Sequence, residues 1–286
     1  MRDTRDMLLV LLSLLLMLTG CSRRDILDDY PVSGVEISLD WNGVTNKLPE
    51  GVRVIFYPKN AEGRKIDTYL SVKGGKVKVP PGRYSVVVYN YDTETVQIRG
   101  EEAYETIEAF TGHCNGLGIA GTEQLVWGPD PLYVVRIDDL KIENSEEELQ
   151  LNWKPKLVVK TYSFKLKVQG LEYVSSIVGS IEGMSSCYDL GLGCGKAGDS
   201  PIYFAARGSA GEVTGSFTVF GTSEGVISRA GNAIKLTLAF VKTDNKVQKM
   251  EVDITEVIAN SESGGSGGDD DGDEPFKEIE LPVEDE

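Results

Sequence analysis

Apolar and polar residues alternate along most of this chain, and a period of two marks an extended strand with one buried face and one wet face. "VEISLDW" sets Val35, Ile37, Leu39 and Trp41 on one side and Glu36, Ser38 and Asp40 on the other. "SFKLKV" repeats the pattern with Phe164, Leu166 and Val168 against Lys165 and Lys167. "AIKLTLAFV" aligns Ile234, Leu236, Leu238 and Phe240, and "KMEVDI" aligns Met250, Val252 and Ile254. No stretch of twelve or more residues has a helical period, although "EEAYETIEAF" from Glu101 offers a short helical turn. The chain is therefore expected to be all-β.

Two runs, "VRVIFYP" from Val52 and "RYSVVVYNY" from Arg83, carry apolar or aromatic residues on both alternation faces and read as central strands. Between them Gly74, Gly75, Pro80, Pro81 and Gly82 punctuate turns around the strand "KVKV". A boundary is expected near Pro155, where "ELQLNWKP" ends and a new alternating run starts at Leu157. Residues 31–156 and 157–286 then suit two small β-sandwiches. Within the second, residues 260–275 include "NSESGGSGGDDDGDE", which has no apolar residue and is expected to be a solvated acidic linker. It leads to a final strand at 276–284 in which Ile279, Leu281 and Val283 alternate. That strand either completes its own sheet or is available to pair with another chain by strand addition.

Ahead of these elements, the run from Met7 to Leu18, broken by Ser13, would be about 18 Å long as a helix, well short of the ~30 Å hydrocarbon core of a bilayer. Arg2 and Arg5 precede it and small residues follow, the pattern of a signal peptide over residues 1–20. Leu18, Thr19, Gly20 and Cys21 resemble the bacterial lipobox, which implies that Cys21 is lipidated and becomes the first mature residue, with 21–30 as a tether. Three acyl tails exceed the two membrane signals that stable anchoring needs. The alternative is ordinary secretory cleavage beside an incidental cysteine.

The net charge is −16, and residues 261–286 supply eleven carboxylates against one lysine. No segment clusters lysine and arginine as a nucleic-acid site would, so no nucleic-acid partner is expected. Cys114, Cys187 and Cys194 remain beside Cys21. The glycines in "CYDLGLGC" allow a small-loop disulfide between Cys187 and Cys194, and three free buried thiols are an equal alternative.

A wider resemblance rests on the lipobox, "LDWNG", "LPEGVRVIFYP", "VPPGRYSVVVYN", "YSFKLKVQGLEYVSSIVGSIEGMSS", "MEVDITEVI" and "EIELPVE". Together these are similar to the fimbrillin-like lipoproteins of Bacteroidetes, near the anchor or accessory fimbrial subunits and an uncharacterised sister family. The resemblance implies two tandem transthyretin-like β-sandwich domains held to the outer membrane by lipid, with the outward display frequent in that family, and fimbrial anchoring, assembly or adhesion through strand pairing with a partner subunit. The competing expectation is a carbohydrate-binding surface lipoprotein of a glycan-uptake system.

Motifs that would mean chemistry are weak. "GLGIAG" (116–121) matches GxGxxG but lacks a flanking strand and helix in a βαβ unit, so no cofactor is expected. "GTSEG" around Ser223 has no later histidine, since His113 is upstream. His113 and Cys114 are adjacent and in extended backbone would point apart. "DDDGDE" (269–274) lacks EF-hand spacing, and no metal site is assigned. No catalytic residue is assigned, and the expected protein is not an enzyme. Trp41 and Trp153 fall on apolar strand faces, while Trp127, among turn residues in "LVWGPDP", is the candidate ligand contact.

Overall fold

The computed structural model describes residues 33–44, 47–60, 63–114, 124–145, 147–197, 200–220, 233–263 and 276–280. The lipobox, the glycine-rich 116–121, Ser223, most of the acidic linker, and Leu281 and Val283 lie outside them.

The chain opens with β1 (Ser33–Leu39), β2 (Gly51–Pro58), β3 (Ile66–Ser71), β4 (Gly74–Val79) and β5 (Gly82–Asn90). Then come β6 (Val96–Arg99), β7 (Glu108–Thr111), β8 (Val126–Trp127), β9 (Tyr133–Ile142), β10 (Leu149–Trp153) and β11 (Lys156–Leu157). After these follow β12 (Lys160–Lys167), β13 (Val174–Glu182), β14 (Ser185–Asp189), β15 (Cys194–Ala197) and β16 (Ile202–Ser209). β17 (Glu212–Val219), β18 (Lys235–Lys242), β19 (Val247–Asp253), helix α1 (Thr255–Ser263) and β20 (Phe276–Glu280) complete it. Among the described residues the protein is all-β apart from α1 and a 3₁₀ turn at Leu171–Tyr173.

One sheet has the order β10-β1-β4-β3-β2-β5-β9-β11. Its path begins and ends with strands that only Lys154 and Pro155 separate in sequence, so the sheet must curl back on itself. The fold-over falls between β3 and β4, which meet at the single pair Ser71↔Gly74. Gly74 takes φ of +97°, and a Cβ there would sit 2.0 Å from the Ile37 carbonyl oxygen, so the corner requires glycine. Val35, Ile37 and Trp153 of one layer thereby meet Val54, Phe56, Val86 and Val88 of the other in one core. The strands expected to be central are central. β2 and β5 pair along seven residues and are buried on both faces, with Ile55, Tyr57, Val87 and Tyr89 pointing away from that core into a second one.

The other large sheet runs β19-β18-β13-β16-β17-β12-β20. β16 turns its corner: residues 202–206 pair with β13, and residues 206–209 pair with β17. The enclosed core is aromatic, with Phe204 in edge contact with Phe164 and tilted against Phe217. The Phe204 ring lies over Gly179, its direct cross-strand neighbour, where a Cβ would fall 2.0 Å from ring carbon Cε2. Overpacking of this kind costs about 1–3 kcal/mol. Gly179→Ala is accordingly expected to lower the unfolding free energy by that amount, read as a lower urea midpoint at unchanged slope, whereas an unshifted midpoint would mean the ring has room to move.

A third sheet, β15-β14-β7-β6, draws two strands from each side of Pro155. β14 pairs with β7 through Cys187↔Phe110, Tyr188↔Ala109 and Asp189↔Glu108. Beneath it, Ile55, Val87, Ile107 and Leu132 pack with Val159, Leu190 and Phe220. β8 adds a second crossing by pairing in parallel with β16. The two halves are thus welded by shared backbone ladders. In the segment from Glu101, residues 101–106 form turns and β7 begins at Glu108, so the expected helical turn is absent: Ile107 and Ala109 are fully buried in the shared core, which holds the segment extended.

Candidate functional site

The available chemistry of an all-β chain lies first in its sheet edges, where backbone N–H and C=O groups face outward. Several edges carry protective features. Beyond Tyr133 and Val134, which β11 covers, β9 is kinked by a register shift opposite Ser85, whose hydroxyl donates to the Asp138 carbonyl at 2.8 Å, and it presents Arg136, Asp138, Asp139 and Lys141. β19 forms an unbroken seven-residue ladder with β18 on one side, and charged Lys249 and Glu251 lie along it.

β20 is different in kind. Among the described residues it is the outermost strand of its sheet and pairs with β12 alone, in parallel, from Thr161↔Phe276 to Lys165↔Glu280. Parallel pairs are slightly weaker per residue than antiparallel ones. In sequence it follows residues 264–275, twelve residues of Gly, Ser, Asp, Glu and Pro with a maximum reach of about 40 Å. Of the two arrangements expected for the last strand, return to its own sheet is the one observed.

Trp127 is 38% exposed, and its ring stands edge-on to Tyr203 at 5.4 Å, on the two strands that β8 and β16 bring together. Its backbone N–H donates to the Gly112 carbonyl. Trp127 therefore helps close a crossing between the halves and leaves part of one ring exposed. Trp153 is buried and Trp41 packs against the same core, as their strand faces imply.

The disulfide considered between Cys187 and Cys194 is absent, and both are free thiols. Across β14 and β15, Cys187 stands opposite Lys196 and Cys194 opposite Asp189, so the two cysteines are diagonal, about 7–8 Å apart at Cα for such neighbours and beyond easy bridging. Three buried free thiols are not found either: Cys114 is buried, Cys187 half-buried and Cys194 exposed. His113 is exposed while Cys114 is buried, so the adjacent pair does point apart. Burial pushes the Cys114 thiol above its ordinary value, the opposite of an activated nucleophile. Among the described residues no group of three His, Cys, Asp or Glu side chains is placed to hold a metal ion.

Two charge clusters were not legible in the sequence. On the face of β2 that carries Ile55 and Tyr57, Arg53 is held by Asp67 (2.9 and 2.7 Å), by Glu101 and by the Tyr89 hydroxyl (2.8 Å), which hold its guanidinium charged. All its polar capacity is spent internally. At the joint, Lys196 Nζ lies 2.9 Å from Asp189 and 3.0 Å from Glu108, and Arg99 also binds Glu108. Burial alone would raise the Glu108 carboxyl, yet the hydrogen bonds from Lys196 and Arg99 hold it below its ordinary range. The Lys196 ammonium is raised by its hydrogen bonds to Asp189 and Glu108.

Curled sheets, a welded joint and one edge strand on a long polar tether define the class: an all-β scaffold whose accessible groups are backbone edges. A family model described as a domain of unknown function, DUF5119, matches residues 20–205, and the chain belongs to that family. It is 60% identical, across its whole length and 89% of the relative, to a Bacteroides ovatus protein named "Putative fimbrium anchoring subunit Fim4B". A crystal structure described as a "putative adhesin" from Bacteroides ovatus is similar at 59% identity and TM-score 0.78, over 92% of this chain and 94% of that one. The fimbrial anchor protein Mfa2 from Porphyromonas gingivalis shares the fold, at 12% identity and TM-score 0.57, over 87% and 90% of the two chains. The kinship with fimbrillin-like proteins of Bacteroidetes holds at the level of family and fold.

Proposed function

We propose that the protein is a non-enzymatic outer-membrane lipoprotein, anchored through Cys21 and exposed at the cell surface, that takes part in fimbrial anchoring or assembly by pairing a strand with a partner subunit. The 60% identity to a protein named as a fimbrium anchoring subunit supports the fimbrial role. The single structural observation that carries the strand-pairing part is β20: an edge strand with one partner among the described residues, a five-residue parallel ladder, and twelve polar residues ahead of it in sequence. An edge strand of this kind exchanges one backbone ladder for an equivalent one on another molecule at little net cost, and the new ladder supplies affinity while alternate side chains supply specificity. Head-to-tail contacts of that type do not close on themselves and so extend into filaments.

The test is native capture from cells that make the corresponding fimbriae. The full chain is expected to recover a fimbrial subunit, and a chain ending at residue 275 to recover at least about tenfold less, the equivalent of 1.4 kcal/mol. Circular dichroism would check that the shortened chain keeps its sheets. Equal recovery by both chains would remove β20 as the pairing strand. Recovery of no fimbrial subunit by either would remove the fimbrial reading itself.

A further inference from the structure

A cleft of about 1020 Å³ opens where β9, the connection from β10 to β11, and the start of β12 meet the turn before β15. Arg136, Lys154, Lys156 and Lys160 line it, Trp153 and Phe220 form apolar wall, and among the described residues no carboxylate lines it. On a chain with 45 acidic and 29 basic residues that is an unusual concentration of one sign. Two other clefts of this molecule are mixed: one sets Lys59 and Lys65 against Glu102 and Glu105, the other Lys167 and Lys242 against Glu172 and Asp244. Arg136 is tied to Asp138 at 2.6 Å, but among the described residues neither Lys154 nor Lys156 has an acidic partner. Walls of low dielectric and uniform sign concentrate the field in such a cleft and select an anion.

The register of β20 identifies the anion. Phe276 stands opposite Thr161, so the strand begins beside Lys160 at the rim of the cleft. One residue, Pro275, separates Phe276 from "DDDGDE", residues 269–274, which hold five carboxylates in six positions. At about 3.3 Å per residue the run starts within ~7 Å of the β20 entry and extends a further ~20 Å, enough to cross the cleft. Tethering makes the encounter intramolecular, with an effective concentration in the millimolar range.

We infer that this cleft binds the acidic run 269–274 of the same chain. The occupied cleft clips β20 at its point of entry, so that release of the strand becomes sensitive to salt and to competing polyanions. This last consequence rests on β20 being the pairing strand; the occupancy of the cleft does not.

Zero-length carbodiimide coupling of the full chain, followed by peptide mapping, tests the occupancy. At low salt the monomer is expected to yield links from Lys154, Lys156 or Lys160 to residues 269–274, and to lose them at about 0.5 M salt, where the screening length falls to a few ångströms. The Lys76–Glu148 pair, 2.8 Å apart, serves as an internal control for coupling. The control link without any cleft link would overturn the inference, as would cleft links confined to oligomers, which would assign the acidic run to a second copy. In the variant Asp269→Asn, Asp270→Asn, Asp271→Asn, Asp273→Asn, Glu274→Gln, the amides of β20 should exchange about tenfold faster at low salt, from the loss of two or three exposed-type ion pairs. Unchanged exchange would overturn the clip. Neither readout involves a partner subunit, so failure here leaves the capture experiment to judge strand pairing separately.

Discussion

Cys21→Ser is expected to remove the protein from the outer-membrane fraction altogether and to abolish incorporation of a labelled fatty acid. The size of the effect follows from hydrocarbon burial. Each buried CH₂ contributes about 0.8 kcal/mol, and one myristoyl chain gives only reversible binding, but a thioether-linked diacylglycerol with a further N-acyl chain holds three tails in the bilayer. No helix among the described residues is long and apolar enough to cross a membrane. The run Met7–Leu18 is also too short to do so as a stable span. Cys114→Ser and Cys187→Ser serve as controls, because those thiols are buried and half-buried within the folded body and out of reach of a membrane enzyme. Both should keep the label. A Cys21→Ser protein that stayed in the outer membrane with its label intact would end the anchoring proposal.

The parts of the fold that were legible in advance are those in which a strand's own residues state its surroundings. The two-sided apolar runs of β2 and β5 have no solution except burial between two cores, and that is where they lie. Trp41 and Trp153 took their side from the alternation of β1 and β10. The elements that escaped are short or have their partners far away in sequence. β3, "IDTYLS", exposes Asp67, Tyr69 and Ser71 and buries nothing completely, so its pattern is faint. α1 has nine residues, and its apolar signal is confined to Val257, Ile258 and Ala259. β8 is two residues long, and its pairing with β16 leaves no local trace.

The joint was the least legible part of all. A period-two reading assigns a carboxylate to the wet face, yet Asp189 is 1% exposed and the Glu108 side chain 11%. Their cation, Lys196, comes from a hairpin that the sequence suggested only as a glycine-bearing turn between two cysteines. The same limit applies to the basic cleft, whose four cations come from separate stretches, at residues 136, 154–156 and 160, and acquire a common address only when the sheet curls.

At that joint, Lys196→Met should cost about 2–4 kcal/mol near neutral pH. Methionine retains most of the apolar stem and deletes the charge, which leaves two largely buried carboxylates without their shared ammonium. Breaking a buried ion pair by removing one partner ordinarily costs 3–5 kcal/mol. The figure is smaller here because Lys196 itself is 44% exposed, Arg99 still binds Glu108, and the Leu192 N–H still donates to Asp189 at 2.8 Å. The pH dependence separates this mechanism from simple loss of packing. In the native protein Glu108 is held below its ordinary value of 4.5, so its contribution is present above that value and is lost as the pH falls through the folded-state value. Lys196 is raised above 10.5, so its contribution is full below that value and disappears as the pH rises through the folded-state value. The deficit of the variant should therefore be widest between these limits and shrink toward about pH 4, where protonation relieves the stranded Glu108 carboxylate. Urea unfolding of both proteins near pH 7 and near pH 4 measures it, and a deficit independent of pH would refute the electrostatic account. Because Glu108 belongs to β7 and Asp189 to β14, the lost charge also weakens the ladder that joins the halves. A single unfolding transition in the native chain should then separate into two in the variant, the behaviour of a scaffold whose rigidity along its length depends on that shared sheet.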